Sequence, residues 1–184
     1  VCDGQDRLLA SRLLPNRLPE VVEMAAHCDL FAAPTADGFV VRVQGRGTSS
    51  HSPSLAGFVR ECFEQDPQLK VAVDLLGCAY LDSTFLGCLL KLQRAAKEER
   101  FQVVADKEVR TRLLAATRLD NYLTLVQRAP DPTGPFQKIE ANALSQRELG
   151  QHLLEAHQAL GEVPSDVAQA FRSIAKQLQS ELEK

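Results

Sequence analysis

Three consecutive residues, Asp82, Ser83 and Thr84, carry the strongest chemical signal in the chain. A carboxylate and two hydroxyls stand there directly ahead of an apolar helical run. Such side chains favour helix starts, because their oxygens accept the free N–H groups of the first turn. The plain reading is that Asp82 and Ser83 cap a helix and do no more. A second reading makes Ser83 a nucleophile. A serine hydroxyl is weak by itself and needs an adjacent base, typically histidine, within hydrogen-bond reach. The sequence indicates no base beside Ser83, no glycine-rich phosphate loop and no metal cluster. It therefore argues against an enzyme. A third reading makes Ser83 the residue acted upon. A phosphate adds about −1.5 to −2 charges. A helix N-terminus tolerates that charge, through its free N–H groups and its dipole. A partner surface docked on the same spot would bury it unpaired. The combination is an on/off interaction switch, with Ser83 as first candidate acceptor and Thr84 as second.

A second polar cluster, Thr48-Ser49-Ser50-His51-Ser52, precedes another helix. In a parallel sheet it stands at the same edge as Ser83. Ser49, Ser50 and His51 thus join Asp82, Ser83 and Thr84 as candidate partner-binding residues. Taken singly, each also serves as a loop or capping residue. His51 has no visible nucleophile and orienting acid around it, so it makes a poor catalytic base.

These segments need a frame. Apolar, β-branched residues at 70–76 predict a buried strand, with a turn after Leu76. A helix follows at 83–97, with Phe85, Leu86, Leu89, Leu92 and Ala96 inward. Lys91, Arg94, Lys97 and Glu98 then form its solvated face. Upstream, strands at 30–34 and 39–43 flank Thr35-Ala36-Asp37-Gly38, whose Asp-Gly pair signals a hairpin. Gly45 and Gly47 mark the end of the second strand. Ser52 reads as an N-cap and Pro53 as the first helical residue. Leu55, Phe58, Val59, Cys62 and Phe63 form the stripe of that helix. Downstream come a strand at 101–105, a helix capped by Asp106 with stripe Val109, Leu113 and Ala116, and a last strand at 123–126. The order implies an α/β fold with a mixed sheet.

Val73-Asp74-Leu75, the turn, Asp82-Ser83-Thr84 and Leu86-Gly87 together resemble the core of the STAS domain, the fold of bacterial anti-sigma factor antagonists. The resemblance extends over about 30–126. Phe85 stands where many members carry glycine, which predicts a bulkier local surface. The resemblance implies a STAS-like mixed β-sheet with helices packed on one side. It also implies a function: binding an anti-sigma factor that is a serine kinase, and so freeing a sigma factor for transcription. Phosphorylation of Ser83 by that kinase would end the binding, and a phosphatase would restore it. An alternative within the family is a non-catalytic scaffold subunit of a larger signalling assembly.

Bulk properties agree with this class. The 184 residues carry a net charge of −3 and an apolar share of 45%. They predict an N-terminal arm at 1–29, a STAS domain at 30–128, a linker at 129–142 and a C-terminal helical hairpin at 143–184. Nothing supports wholesale nucleic-acid binding. No apolar run is long enough for a membrane span. Leu8, Leu9, Leu13 and Leu14 are interrupted by Arg12 and Pro15, so no signal peptide is read there. In the arm, Pro19 starts a plausible helix at 19–27. Cys2, Cys28, Cys62, Cys78 and Cys88 are scattered and odd in number, which predicts free thiols in a reducing cytoplasm. No metal or cofactor is called for.

The proline-rich stretch 130–135 reads as the linker. Beyond it, Ser145 and Glu148 form a capping box. Leu149, Leu153, Ala156 and Leu160 make one stripe, ended by Gly161. Val167, Phe171, Ile174 and Leu178 make a second, heptad-like stripe. Two such helices cannot bury both stripes alone. They must pack on something: the domain, a second copy in a homo-oligomer, or a separate protein. His152 and His157 are five apart and are not read as metal ligands.

Overall fold

A computed structural model of the chain describes residues 28–96 and 99–183. The helix expected at 19–27, most of the N-terminal arm, and Lys97 and Glu98 lie outside the described residues.

The Asp-Gly turn does what its chemistry predicts. The Thr35 N–H donates to the Gly38 carbonyl at 2.8 Å. β1 (Cys28–Pro34) then runs antiparallel to β2 (Gly38–Gly47). Gly38 is required, because any Cβ there would enter the backbone of Lys70 on the next strand. β2 runs on past Val43 to Gly47, one of the two glycines expected to end it, and it has two successive neighbours. β3 (Lys70–Asp74) pairs with its first half and β4 (Cys78–Leu81) with its second, both in parallel.

β4 is a correction to the sequence reading, which ended the strand in a turn after Leu76. The turn exists, but it is only an interruption. Asp74 Oδ1 accepts from the Leu76 N–H at 3.0 Å. The Gly45 N–H then donates to the Gly77 carbonyl at 3.1 Å, so the chain rejoins the strand it had left. Gly45 sits at φ 83°, beside a shift of register between Gly45 and Arg46. That left-handed backbone favours glycine.

β5 (Phe101–Val104) and β6 (Leu125–Val126) continue the parallel part of the sheet. β7 (Gln137–Lys138) pairs antiparallel with β1, inside the stretch read as a linker. The order is β6-β5-β3-β2-β1-β7, with β4 on β2.

The helices cover one face of this mixed sheet, as expected. α1 (Ser52–Gln65) and α2 (Ser83–Ala95) deliver Leu55, Val59, Phe85 and Leu89 onto Val41, Val43, Val71, Val73 and Val103. Asp106 caps α3 (Lys107–Val109) as predicted, its Oδ1 accepting from the Val109 N–H at 2.8 Å. α3 passes directly into a π-helical turn at Arg110–Leu114. The wider turn brings Leu113 and Leu114 together into the core, and Ala116, expected inward, is exposed. α1 also starts differently. His51, not Ser52, is the N-cap, so Ser52 is the first helical residue and Pro53 the second. The Thr48 carbonyl already takes the His51 and Ser52 N–H groups in a tight turn, which draws Ser52 into the helix.

The C-terminal hairpin consists of α4 (Gln146–Gly161) and α5 (Ala168–Leu182). The capping box is present: the Glu148 N–H donates to Ser145 Oγ, and the Ser145 N–H to Glu148 Oε2. α4 lies on the side of α2 away from the sheet. The supposed solvated face of α2 is therefore an interface. Lys91 pairs with Glu155, and Arg94 Nη1 meets Glu162 Oε2 at 2.6 Å. With the sheet on one side and α4 on the other, every residue of α2 from Thr84 to Leu90 is buried.

Candidate functional site

The site is built by a strand end, a loop and a helix start. β4 carries the chain to Leu81. Asp82 follows in extended backbone, its N–H donating to the Gly47 carbonyl at 3.0 Å. Both oxygens of its carboxylate are engaged. Oδ1 accepts from the Phe85 N–H at 2.8 Å, which caps α2. Oδ2 accepts from the Ser49 N–H at 2.7 Å, which ties the loop before α1 to the start of α2. Two segments more than thirty residues apart thus meet at one sheet edge, as the topology predicts. Around this tie, Ser50 is exposed and His51 half-buried, its Nδ1 at 2.9 Å from Thr48 Oγ1. Burial lowers the pKa of His51 from its ordinary value, against the opposing pull of Asp29 and Asp82. Thr84, the second candidate acceptor, is buried at 3% exposure.

Because Asp82 takes the cap, the Ser83 hydroxyl makes no bond to its own helix. It lies 3.0 Å from His157 Nε2, on α4. His157 Nδ1 lies 2.8 Å from the Leu153 carbonyl oxygen, an acceptor only. In the neutral ring Nδ1 therefore carries the proton, Nε2 accepts, and the Ser83 hydroxyl donates. His157 is 5% exposed, and its ring packs on Phe171 with centroids 6.0 Å apart.

One turn earlier α4 repeats the arrangement. His152 Nε2 lies 2.8 Å from Ser52 Oγ, the fully buried hydroxyl that begins α1. Burial lowers the pKa of His152, helped by Lys91 and opposed by Glu155 and Asp82. Two histidines from one helix thus hold the first residues of two others.

The sequence reading found no base near Ser83, and the structure corrects it: His157 is that neighbour. The pair still does not form a serine nucleophile of the usual kind. The imidazole is oriented by a backbone carbonyl, not a carboxylate, and the Phe85 amide is already taken by Asp82. The hydroxyl sits in a seam between packed helices, where a Cβ on Gly87 would run into the Ala156 backbone. What the pair accomplishes here is to fasten α4 to α2. A signal for it did exist. Gly87 lies inside an apolar helix, where glycine costs about 1 kcal/mol relative to alanine, so a close approach is its natural reason.

Phe85 is a further correction. It adds nothing to the surface, because it is fully buried, with its ring against Gly47. Cys62, Cys78 and Cys88 are buried as well, and Cys28 is half-buried. Burial pushes Cys28 and Cys88 up to about 12 and Cys62 up to about 11, and raises Cys78 as well. All four are unpaired, and Cys2 lies outside the described residues. Among the described residues, no cluster of three or more histidine, cysteine, aspartate or glutamate side chains suits a metal.

A mixed sheet with helices on one side, and an Asp-Ser start to the helix behind its central strand, define an α/β domain of the STAS class. A family model described as "Mlab, STAS domain" matches residues 32–127, and the chain belongs to this STAS family. Among solved structures, the chain is similar to an anti-sigma factor antagonist from Mycobacterium paratuberculosis. The two share 21% identity over 55% of this chain and 87% of that one, with a TM-score of 0.48. No curated protein matches the chain.

Proposed function

We propose that this chain is a non-catalytic interaction module that antagonises an anti-sigma factor and is switched off by phosphorylation of Ser83. The partner is an anti-sigma factor with serine kinase activity, and release of its sigma factor regulates transcription. The kinase transfers the terminal phosphoryl group of a nucleoside triphosphate to Ser83 Oγ, whose proton leaves. A phosphatase reverses the step. Asp82, Ser83 and the loop residues Ser49, Ser50 and His51 form the docking edge, and Thr84 is set aside by its burial.

One observation carries this reading. Asp82 supplies the cap of α2, so the Ser83 hydroxyl stands at the positive end of the helix with no capping duty. A phosphate there has the helix dipole in its favour, while a docked surface would have to bury it. Four unpaired thiols, three of them buried, fit a reducing cytoplasm. Among the described residues, no helix is long and apolar enough to cross a membrane.

The test is a calorimetric titration of the anti-sigma kinase from the same host with wild-type protein and with Ser83→Asp. The expected result is binding weakened at least tenfold, about 1.4 kcal/mol. Equal affinities would sink the proposal. A second reading draws on the Ser83–His157 bond itself. A serine that only fastens α4 needs no phosphate, as in a non-catalytic STAS scaffold subunit of a larger signalling assembly. That reading gains if the peptide containing Ser83, isolated from the host, carries no phosphate under growth, stress or starvation.

A further inference from the structure

We propose that the outward face of α2 is a helix-docking site which the chain's own α4 keeps closed, and that a partner gains Ser83 by displacing α4. This rests on the interaction-module reading above. The partner element it calls for is an amphipathic helix with a small residue over Gly87 and carboxylates for Lys91 and Arg94.

The argument starts from what α4 covers. The candidate acceptor Ser83 has its hydroxyl turned onto His157 of α4 at 3.0 Å. A phosphate in that position needs several times the volume of a hydroxyl proton. Ser83 is half-buried, and one turn along the seam is tight, since Gly87 packs on the Ala156 backbone so closely that a Cβ does not fit. Phosphorylation of Ser83 would remove the hydroxyl proton donated to His157 and place a bulky dianion beside α4, so it works against the docked hairpin. The hydroxyl that would be modified is also the one that holds the cover.

The second step is the chemistry of the fastening. α2 puts Phe85, Leu86, Leu89 and Leu90 into a core cluster that Ala159, Leu160 and Val163 of the hairpin also join. Beside that apolar contact, α2 offers α4 small and cationic residues, among them Ser83, Gly87, Lys91 and Arg94. α4 answers with a small residue, Ala156, and with Glu155 and Glu162 on the two cations. Those ion pairs are partly exposed, with side chains between 36% and 67% accessible. Pairs of that kind contribute between about 0 and 1 kcal/mol each. The apolar core under α2 does not depend on them. Complementary charge and close backbone fit specify which helix sits here, and a partner helix that takes this seat has to replace the apolar contact of Ala159 and Leu160 as well.

The experiment uses the full chain with Ala156→Leu, which makes α4 too bulky for its seat and leaves the α2 face untouched. The probe is a fluorescent synthetic peptide of residues 143–184. The variant is expected to bind the peptide at least tenfold more tightly than wild type. Adding Gly87→Ala, which closes the seat from the α2 side, abolishes that binding. In parallel, the Cys88 thiol, shielded between α1, α2 and α4, becomes open to alkylation in Ala156→Leu. Amides of 146–182 lose hydrogen-exchange protection, and those of β3 and β5 keep theirs.

No peptide binding by a variant whose α4 amides have opened would overturn the docking site. Loss of protection in β3 and β5 together with α4, both in Ala156→Leu and in the charge-reversed Glu155→Lys/Glu162→Lys, would overturn the idea of a separable cover. A dimer by light scattering, with hairpin protection retained, would make a second copy the occupant and overturn the intramolecular form. None of these readouts involves a kinase. Absence of phosphate on Ser83 would remove the proposed function and leave them unmoved.

Discussion

Asp82 offers the sharpest test of how the site is assembled, because its two oxygens do separable jobs. In Asp82→Asn, the remaining carbonyl oxygen can still cap the Phe85 N–H, and asparagine is as good an N-cap as aspartate. The new amide then faces the Ser49 N–H, donor against donor. What is lost is one hydrogen bond to a carboxylate, worth about 1.5–3 kcal/mol. Ser49 is half-buried, so water can replace part of it, and the lower figure, about 1.5 kcal/mol, applies. Asp82→Ala loses the cap as well, a further loss of about 1 kcal/mol, for about 2.5 kcal/mol in all. With a urea m-value of about 2 kcal/mol/M, the midpoint falls by about 0.75 M for Asn and about 1.25 M for Ala, at unchanged m. Hydrogen exchange separates the two bonds. The Ser49 amide loses protection in both variants, and the Phe85 amide only in Ala. If Asn proves as stable as wild type, or exposes both amides as Ala does, the two-oxygen account of the site is wrong.

Two further outcomes follow from single groups. His152 is held neutral by burial and by Lys91, against Glu155 and Asp82, with Ser52 as its partner. Its folded pKa lies below the unfolded value of about 6.5, so the unfolded chain binds more protons. Its contribution is present above that value and is lost as pH falls through the folded pKa. Melting temperature should therefore drop between pH 7 and pH 5 (about the histidine range) more steeply in wild type than in His152→Gln, and identical slopes would refute the assignment. Phe85→Gly installs the residue many STAS members carry, yet it should cost about 4–6 kcal/mol, from the emptied core and the helical glycine. A loss under about 1 kcal/mol in urea unfolding would show that the buried ring contributes little to the core.

The features legible in the sequence were those decided within about one helical turn or one hairpin. The Asp-Gly turn, the Asp82 and Asp106 caps and the Ser145–Glu148 box each join residues at most four apart. The stripe of α1 could be read because its side chains all face one sheet. β4 and β7 were not legible, because four and two residues hold no periodicity of their own. They are strands only because β2 and β1 have free edges there. The inward turn of Leu114 likewise depends on a π-helical turn that no local pattern announces. At the candidate site, the placing of Ser49 beside Asp82 followed from parallel topology. The placing of His157 did not, since it depends on how a helix more than seventy residues away docks.

The spacing of the α4 histidines looks unhelpful only when a single target is assumed. Five residues turn a helix by about 140° and advance it by about 7.5 Å. That rotation spoils a shared metal site. It suits two targets on different sides of the helix. The advance approaches the interaxial spacing of about 8–10 Å between packed helices, and α1 and α2 are such neighbours on the sheet. One histidine therefore reaches Ser52, the first residue of α1, while the other reaches Ser83, the first residue of α2. Since Asp82 binds the α1 loop to the α2 start from the sheet side, and the two histidines bind both helix starts from the outer side, the loop, both serines and α4 form one hydrogen-bonded unit. A phosphate placed on Ser83 would act on that whole unit, which is why the proposed modification and the position of the hairpin are expected to be coupled.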